Sequence, residues 1–201
     1  ELAEGALPER SDGVRHNSSL SLLELEHDNF RSALSWLYTS VQADRLVQLA
    51  GSLGWFWHLR GHVTEGRSWL ESALARATIG KVSSTEHARA LRAAGQLAWE
   101  QADFQLATGY IEAARALSAE IGDHFGTAQA LINLGVIQEK QGDDAAAMVY
   151  FEEGLALYRV IDHQVGIAHA VINMGDASFR QGDLKRSAEL TAEALALSRK
   201  V

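Results

Sequence analysis

The sequence predicts an all-α fold, a solenoid of stacked helix pairs, and three observations carry that prediction. The stretch LINLGVIQEKQGDDAAAMVYFEEGLAL at 131–157 is echoed at 171–197 by VINMGDASFRQGDLKRSAELTAEALAL. Small residues keep the same interval: Gly54, Gly95, Gly135 and Gly175 are 41, 40 and 40 positions apart, as are Ala73, Ala114, Gly154 and Ala194. Between the two series lies a turn, at Gly61-His62, Ala102-Asp103, Gly142-Asp143 and Gly182-Asp183. Self-similarity at a period of about 20–50 residues marks an array in which each unit buries its apolar face against the next.

The elements follow in order. Residues 1–40 read as a linker and one amphipathic helix, because Leu20, Leu23, His27, Phe30, Leu34 and Leu37 fall on a single stripe that packs onto the first repeat. Residues 41–201 hold four repeats, at about 43–80, 84–121, 124–161 and 164–201. In the third, Ala128, Leu131, Leu134, Gly135 and Gln138 lie on one face of the first helix. Gly142 supplies the left-handed turn that ends it, and Asp143 caps the next helix. That second helix carries Ala147, Tyr150, Phe151, Gly154, Leu155 and Tyr158 at helical spacing. Gly122-Asp123 and Asp162-His163 join units, the latter without a glycine. A glycine inside a helix costs roughly 1 kcal/mol of propensity. The expected return is close approach of two helix backbones at Gly135 and its counterparts.

These motifs resemble the tetratricopeptide repeat (TPR), which pairs W-x2-L-G-x2-Y with A-x3-F. Leu131 stands at the Trp place, Leu134-Gly135 at Leu-Gly, and Ala147 and Phe151 at A-x3-F. Gln138 departs from the family's Tyr, and no proline closes a unit. The six residues beyond the usual repeat add roughly 9 Å if helical, as in the long repeats of kinesin light chains and bacterial regulators. The resemblance implies a right-handed TPR-like solenoid, one N-terminal helix plus four helix pairs, whose first helices line a concave binding surface. The segments LELEHDNFRSALSWL (23–37) and AGSLGWFWHLRGHVTEGRSWLESAL (50–74) are similar to STAND-type signal-transduction ATPases, including LuxR-type transcriptional regulators. There such segments connect the ATPase and winged-helix region to C-terminal helical repeats. The implied function is a non-catalytic protein-interaction or ligand-sensing module from such a regulator; the alternative is a free-standing scaffold that binds a peptide.

Composition agrees with a folded protein: 47% of the residues are hydrophobic and 22% charged. The chain opens ELAEGALPER, without an initiator Met, and is expected to be a piece of something longer. No apolar run is long enough for a signal peptide or a bilayer, so no membrane contact and a cytoplasmic location are expected. The absence of cysteine excludes disulfides and thiolate metal sites. A net charge of −8 repels a phosphate backbone, so no direct nucleic-acid contact is expected.

The motifs of catalysis are missing, and neither an enzyme nor a cofactor is expected. Gly80-Lys81-Val82-Ser83 lacks the upstream glycine and strand of a phosphate-binding loop and reads as a connection between helices. Glu26-His27-Asp28 cannot converge on one ion, because consecutive helical residues point about 100° apart. These three read as a solvated face, and no metal site is expected. Trp55, Phe56 and Trp57 with His58 are the densest aromatic group, expected to pack the N-terminal helix on the first repeat, with one of them free to face a groove.

Asn133 and Asn173 occupy equivalent places just before the Leu-Gly and Met-Gly steps. The TPR resemblance puts this place toward the concave surface, where an Asn often bonds a peptide backbone. The side-chain amide offers two donors and an acceptor. Gln129 and His169 precede them by one helical turn, and Ile132 and Phe179 are apolar neighbours. The expected partner is a protein or peptide in that groove. The competing expectation is an Asn that bridges helices. Leu184, Leu190, Leu195 and Leu197 on the last helix are expected to leave apolar surface bare and to support homo-oligomerisation through the C-terminal helix.

Overall fold

A computed structural model describes residues 20–40, 42–77 and 82–199. Helices are the only regular structure among them: α1 (His27–Thr39), α2 (Ala43–Arg60), α3 (Val63–Ala77), α4 (Ser84–Glu100), α5 (Phe104–Glu120), α6 (His124–Lys140), α7 (Asp144–Val160), α8 (Gln164–Arg180) and α9 (Leu184–Ser198). The chain divides into two compact units, Glu1–Tyr110 and Ile111–Val201, with the boundary inside α5. The Gly80-Lys81 half of the loop discussed above lies outside the described residues.

In the first unit the expected N-terminal stripe is present. Leu20, Leu23, His27, Leu34 and Leu37 are buried, and Phe30 packs against the same core. The helix is interrupted at Glu26, although backbone bonds from Glu26 N to Leu22 O (3.1 Å) and Phe30 N to Glu26 O (3.0 Å) carry the ladder across it. The solvated-face expectation for Glu26-His27-Asp28 fails at His27. It retains 8% of its exposure, because it belongs to the stripe that meets the core. Phe56 and Trp57 are both fully buried, whereas Trp55 and His58 are partly so. Phe56 and Trp57 belong to the first unit's core with Leu53 and Leu70, and Trp55 packs against it.

Close helix approach occurs here too. A Cβ on Gly51 would stand 3.2 Å from the backbone nitrogen of Ala90, and one on Gly54 would stand 2.4 Å from Ala93 Cβ. Helices α2 and α4 therefore meet with almost nothing between them. In the second unit the expectation needs correcting. The space beside Gly135 is filled by a ring, not a backbone: a Cβ there would lie 2.4 Å from Phe151 Cε1. Gly154 meets both kinds of neighbour: a Cβ there would lie 2.9 Å from Ile132 Cδ1 and 3.3 Å from the backbone oxygen of Ala128 on α6, so the expected close approach holds at this position. Small residues on α6 and α7 make room for large ones on the partner helix.

Helix ends follow local chemistry. Asp123, Asp143 and Asp183 each accept a bond from the backbone N–H three residues on, at 2.9, 2.9 and 3.0 Å. His163 does the same through Nδ1, at 2.9 Å from Gly166 N. Gly61, Gly122, Gly142 and Gly182 take the left-handed conformation that closes the preceding helix. Two turns of this kind lack glycine, and Ala102 (φ 59°) and Asp162 (φ 52°) adopt the left-handed region regardless. A Cβ there costs about 1–2 kcal/mol. Ala102→Gly is accordingly expected to stabilise the first unit by about 1 kcal/mol, net of its greater freedom when unfolded. A denaturation midpoint that falls with this substitution would show that Ala102 carries no strain.

Ion pairs tie neighbouring pairs of helices inside each unit. Arg67 bonds Glu71 at 2.8 Å, Gln101 at 2.7 Å and Asp103 at 2.9 Å, which fastens α3 to the α4–α5 turn. In the second unit Arg180 reaches Asp144 at 2.8 Å, and Arg186 reaches Glu152 at 2.7 Å. The exposed pair Arg186–Glu152 contributes about 0–1 kcal/mol and sets register more than stability.

Candidate functional site

The second unit contains the four residues singled out from the sequence. Gln129 and Asn133 stand one turn apart on α6, and His169 and Asn173 one turn apart on α8, with 40 residues between equivalents. Gln129, Asn133 and Asn173 are partly buried, and His169 is exposed along part of its side chain. Partial burial of the imidazole nonetheless pushes the His169 pKa below its ordinary 6.5. A neutral ring is therefore favoured there near pH 7. None of the four side chains hydrogen-bonds within the described residues. Asn173 goes further: its Nδ2 is shut off from solvent and has no partner.

An amide donor left without a partner typically costs about 1–3 kcal/mol. A residue that bridges helices ordinarily spends its donor on a carbonyl, and the Asn173 Nδ2 has none within reach. Rotation about its terminal torsion would exchange the two ends of the amide and bring the donor outward. Along α8, the exposed residues Val165, His169, Ile172, Asp176 and Phe179 follow one face at steps of four and three. Phe179 is 63% exposed, which suits an apolar contact. Ile132 is not available: it is 2% exposed and fills the space beside Gly154, so its expected place next to a ligand is corrected to a core position.

A second cluster lies in the first unit, and the sequence reading missed it. Glu24 and His27 are three residues apart before and at the start of α1; His62 and Glu65 are three apart at the start of α3. Their side chains meet, with His62 Nε2 at 3.2 Å from Glu24 Oε1 and His27 Nε2 at 3.4 Å from Glu65 Oε1. The two imidazole centroids are 4.3 Å apart, and Phe56 touches both rings at 5.2 and 5.5 Å. Arg31 grips Glu65 with two bonds of 2.8 and 2.6 Å. The hydrogen bond from Arg31 holds the Glu65 carboxyl below the usual range, against the opposing effect of its partial burial. The signal was present as Glu-x-x-His and His-x-x-Glu, spacings that put both groups on one helix face.

The geometry is that of TPR-like helical repeats, an all-α class that builds extended binding faces from stacked helix pairs. Residues 86–159 match the tetratricopeptide repeat. Proteins of Mycobacterium bovis and Mycobacterium tuberculosis, provisionally named HTH-type transcriptional regulators, are 32% identical to this chain over 126 residues. That match takes in 60% of this chain and only 14% of theirs. Among solved structures, BtubC from P. vanneervenii superposes with a TM-score of 0.70 at 20% identity, over 90% of this chain and 73% of that one. Aspartyl phosphate phosphatase F from Bacillus subtilis gives 0.72 at 12% identity, over 92% of this chain and 46% of that one. A Rap protein complexed with Competence and Sporulation Factor gives 0.72 at 14% identity, over 92% and 53%. At these identities the likeness is one of fold. Among the described residues no helix is long and apolar enough to cross a membrane.

Proposed function

We propose that this chain is a non-catalytic binding module whose second unit holds an extended peptide or protein segment along α6 and α8. The observation that carries the reading is the unpartnered Asn173 Nδ2, with Asn133 at one-unit spacing from it and, among the described residues, without a side-chain hydrogen bond of its own. A ladder of amides at a regular step suits the evenly spaced backbone groups of an extended ligand. Each bond contributes about 0.5–1.5 kcal/mol net, so the amides orient the ligand while Phe179 and Ile172 supply apolar contact. Gln129 and His169 extend the ladder by one turn. The net charge of −8 disfavours direct contact with nucleic acid.

We further propose that the module belongs to a larger STAND-type transcriptional regulator, in which occupancy of the face alters its neighbouring ATPase. The similarity to mycobacterial proteins named for an HTH-type regulator supports this. A reading frame that places a phosphate-binding loop upstream of Glu1 is the expected result; a stop codon directly upstream would overturn it. Homo-oligomerisation through α9 is also part of the proposal, because Leu184 and Leu195 are 63% and 54% exposed. Light scattering that gives a monomer at high concentration would count against it.

The binding face is tested with a displayed library of random peptides. A selected peptide is expected to lose roughly 2- to 12-fold in affinity on Asn133→Ala and on Asn173→Leu, the range set by one hydrogen bond. In the free protein Asn173→Leu is expected to be neutral or stabilising, since it removes a buried donor that bonds nothing. A marked loss of stability would identify Asn173 as structural, and unchanged affinity in both variants would move the site elsewhere.

A further inference from the structure

We propose that Glu24, His27 and His62 form a binding site for a divalent transition-metal ion of the zinc class. One ligand atom from each lies within 4.8 Å of the others. Two imidazoles and one carboxylate are a donor set that zinc takes at about 2.0–2.2 Å. In a tetrahedral complex of that size, neighbouring ligand atoms are about 3.3 Å apart. The His62 Nε2 to Glu24 Oε1 distance of 3.2 Å already matches such an edge. His27 stands within 4.8 Å of both, so it has at most about 1.5 Å to close to reach such an edge, and Glu24, on an exposed side chain, can move toward it.

The independent observation is His27 itself. Its residue is more than nine-tenths buried, and its Nε2 faces the cluster without making a hydrogen bond, although the Glu65 carboxylate stands 3.4 Å away as an ion-pair neighbour. Leaving a buried ring nitrogen unsatisfied is costly, and coordination would satisfy it. Glu65 is committed to Arg31 and so stands beside the ion, not on it. The fourth position falls to water.

Neighbouring charge sets the strength. Arg60 Nε is 3.6 Å from Glu24 Oε2, Arg31 neutralises Glu65, and the positive end of α3 begins beside His62. These oppose a cation, so the site should be weaker than a structural zinc site. Bound metal would fasten the helical segment around residues 24–27 to the start of α3.

Untagged protein, stripped with chelator and dialysed, is titrated with zinc chloride by calorimetry, and with cobalt(II) by visible absorption. One equivalent of zinc and the intense absorption of tetrahedral cobalt are expected. Glu24→Gln and His62→Gln should each weaken zinc binding at least roughly tenfold, and His124→Gln, on the exposed start of α6, should leave it unchanged. Glu24→Gln keeps the test open should His62→Gln not fold, because Glu24 is exposed. No saturable binding up to millimolar zinc, or binding that ignores Glu24→Gln, or binding lost on His124→Gln, would each overturn the proposal.

Discussion

Gly135→Leu is expected to lower the stability of the second unit by at least about 2 kcal/mol, while Gly175→Ala, at the equivalent place one repeat later, is expected to raise it by about 1 kcal/mol. The opposite signs come from what each Cβ would meet. At Gly135 it would press into the Phe151 ring at 2.4 and 2.6 Å, and that ring is fully buried with nowhere to retreat. Overpacking of this kind costs about 1–3 kcal/mol for a methyl-sized addition, more than the propensity gained by losing a glycine. At Gly175 the nearest atoms are Thr191 Oγ1 at 3.5 Å and Leu190 Cβ at 3.6 Å, ordinary contact distances. Only the gain in helix propensity remains. Shrinking the ring with Phe151→Leu should make Gly135→Ala less harmful, since the two residues share one space. All five tryptophans precede residue 100, so these changes are read by far-ultraviolet circular dichroism in denaturant. Midpoint shifts of the same sign at both glycines would remove this account.

That contrast was legible, though only in part. Sixteen residues after Gly135 stands Phe151, and sixteen after Gly175 stands Thr191. The repeat therefore announces a missing ring in its last unit. What the period could not show is which neighbour fills each gap. Gly54 looks like Gly135 in the alignment, yet it meets Ala93 on α4. Periodicity fixes the face that a residue occupies, while the occupant opposite depends on how two helices cross. The helix ends were readable for a simpler reason, since turn glycines and capping aspartates act within three or four residues. The amides of Asn133 and Asn173 were found by repetition alone, and their lack of internal bonds emerged only with side chains in place. The cluster around His27 was missed because neighbours in sequence were tested for convergence. The groups that converge are separated by about one repeat, at Glu24, His27, His62 and Glu65. His27 also lay on the apolar stripe, where a histidine reads as core.

Trp57→Ala is expected to cost about 3–5 kcal/mol, the usual range for removing a large aromatic from a core. That is a large share of the stability of an ordinary domain, about 5–15 kcal/mol. Trp57 is 1% exposed, and α3 is shaped around it: a Cβ on Gly66 would stand 2.6 Å from the indole Cδ2 and Cγ. A glycine kept inside a helix at a propensity cost of roughly 1 kcal/mol leaves room for one particular ring. Removing the ring leaves a cavity facing a residue with no side chain to fill it, so the surroundings can relax little. The next residue back, Phe56, is also fully buried and contacts the rings of His27 and His62, which ties the same part of α2 to the N-terminal helix. Trp36 supplies the comparison. It is 57% exposed on α1, and its truncation is expected to stay within about 0.5 kcal/mol of zero. The four tryptophans left in either variant all lie in the first unit, so their fluorescence in denaturant follows that unit directly. A Trp57→Ala midpoint no lower than that of Trp36→Ala would mean that the aromatic run from 55 to 57 does not hold this core, and that at least one of its rings is free to meet a partner.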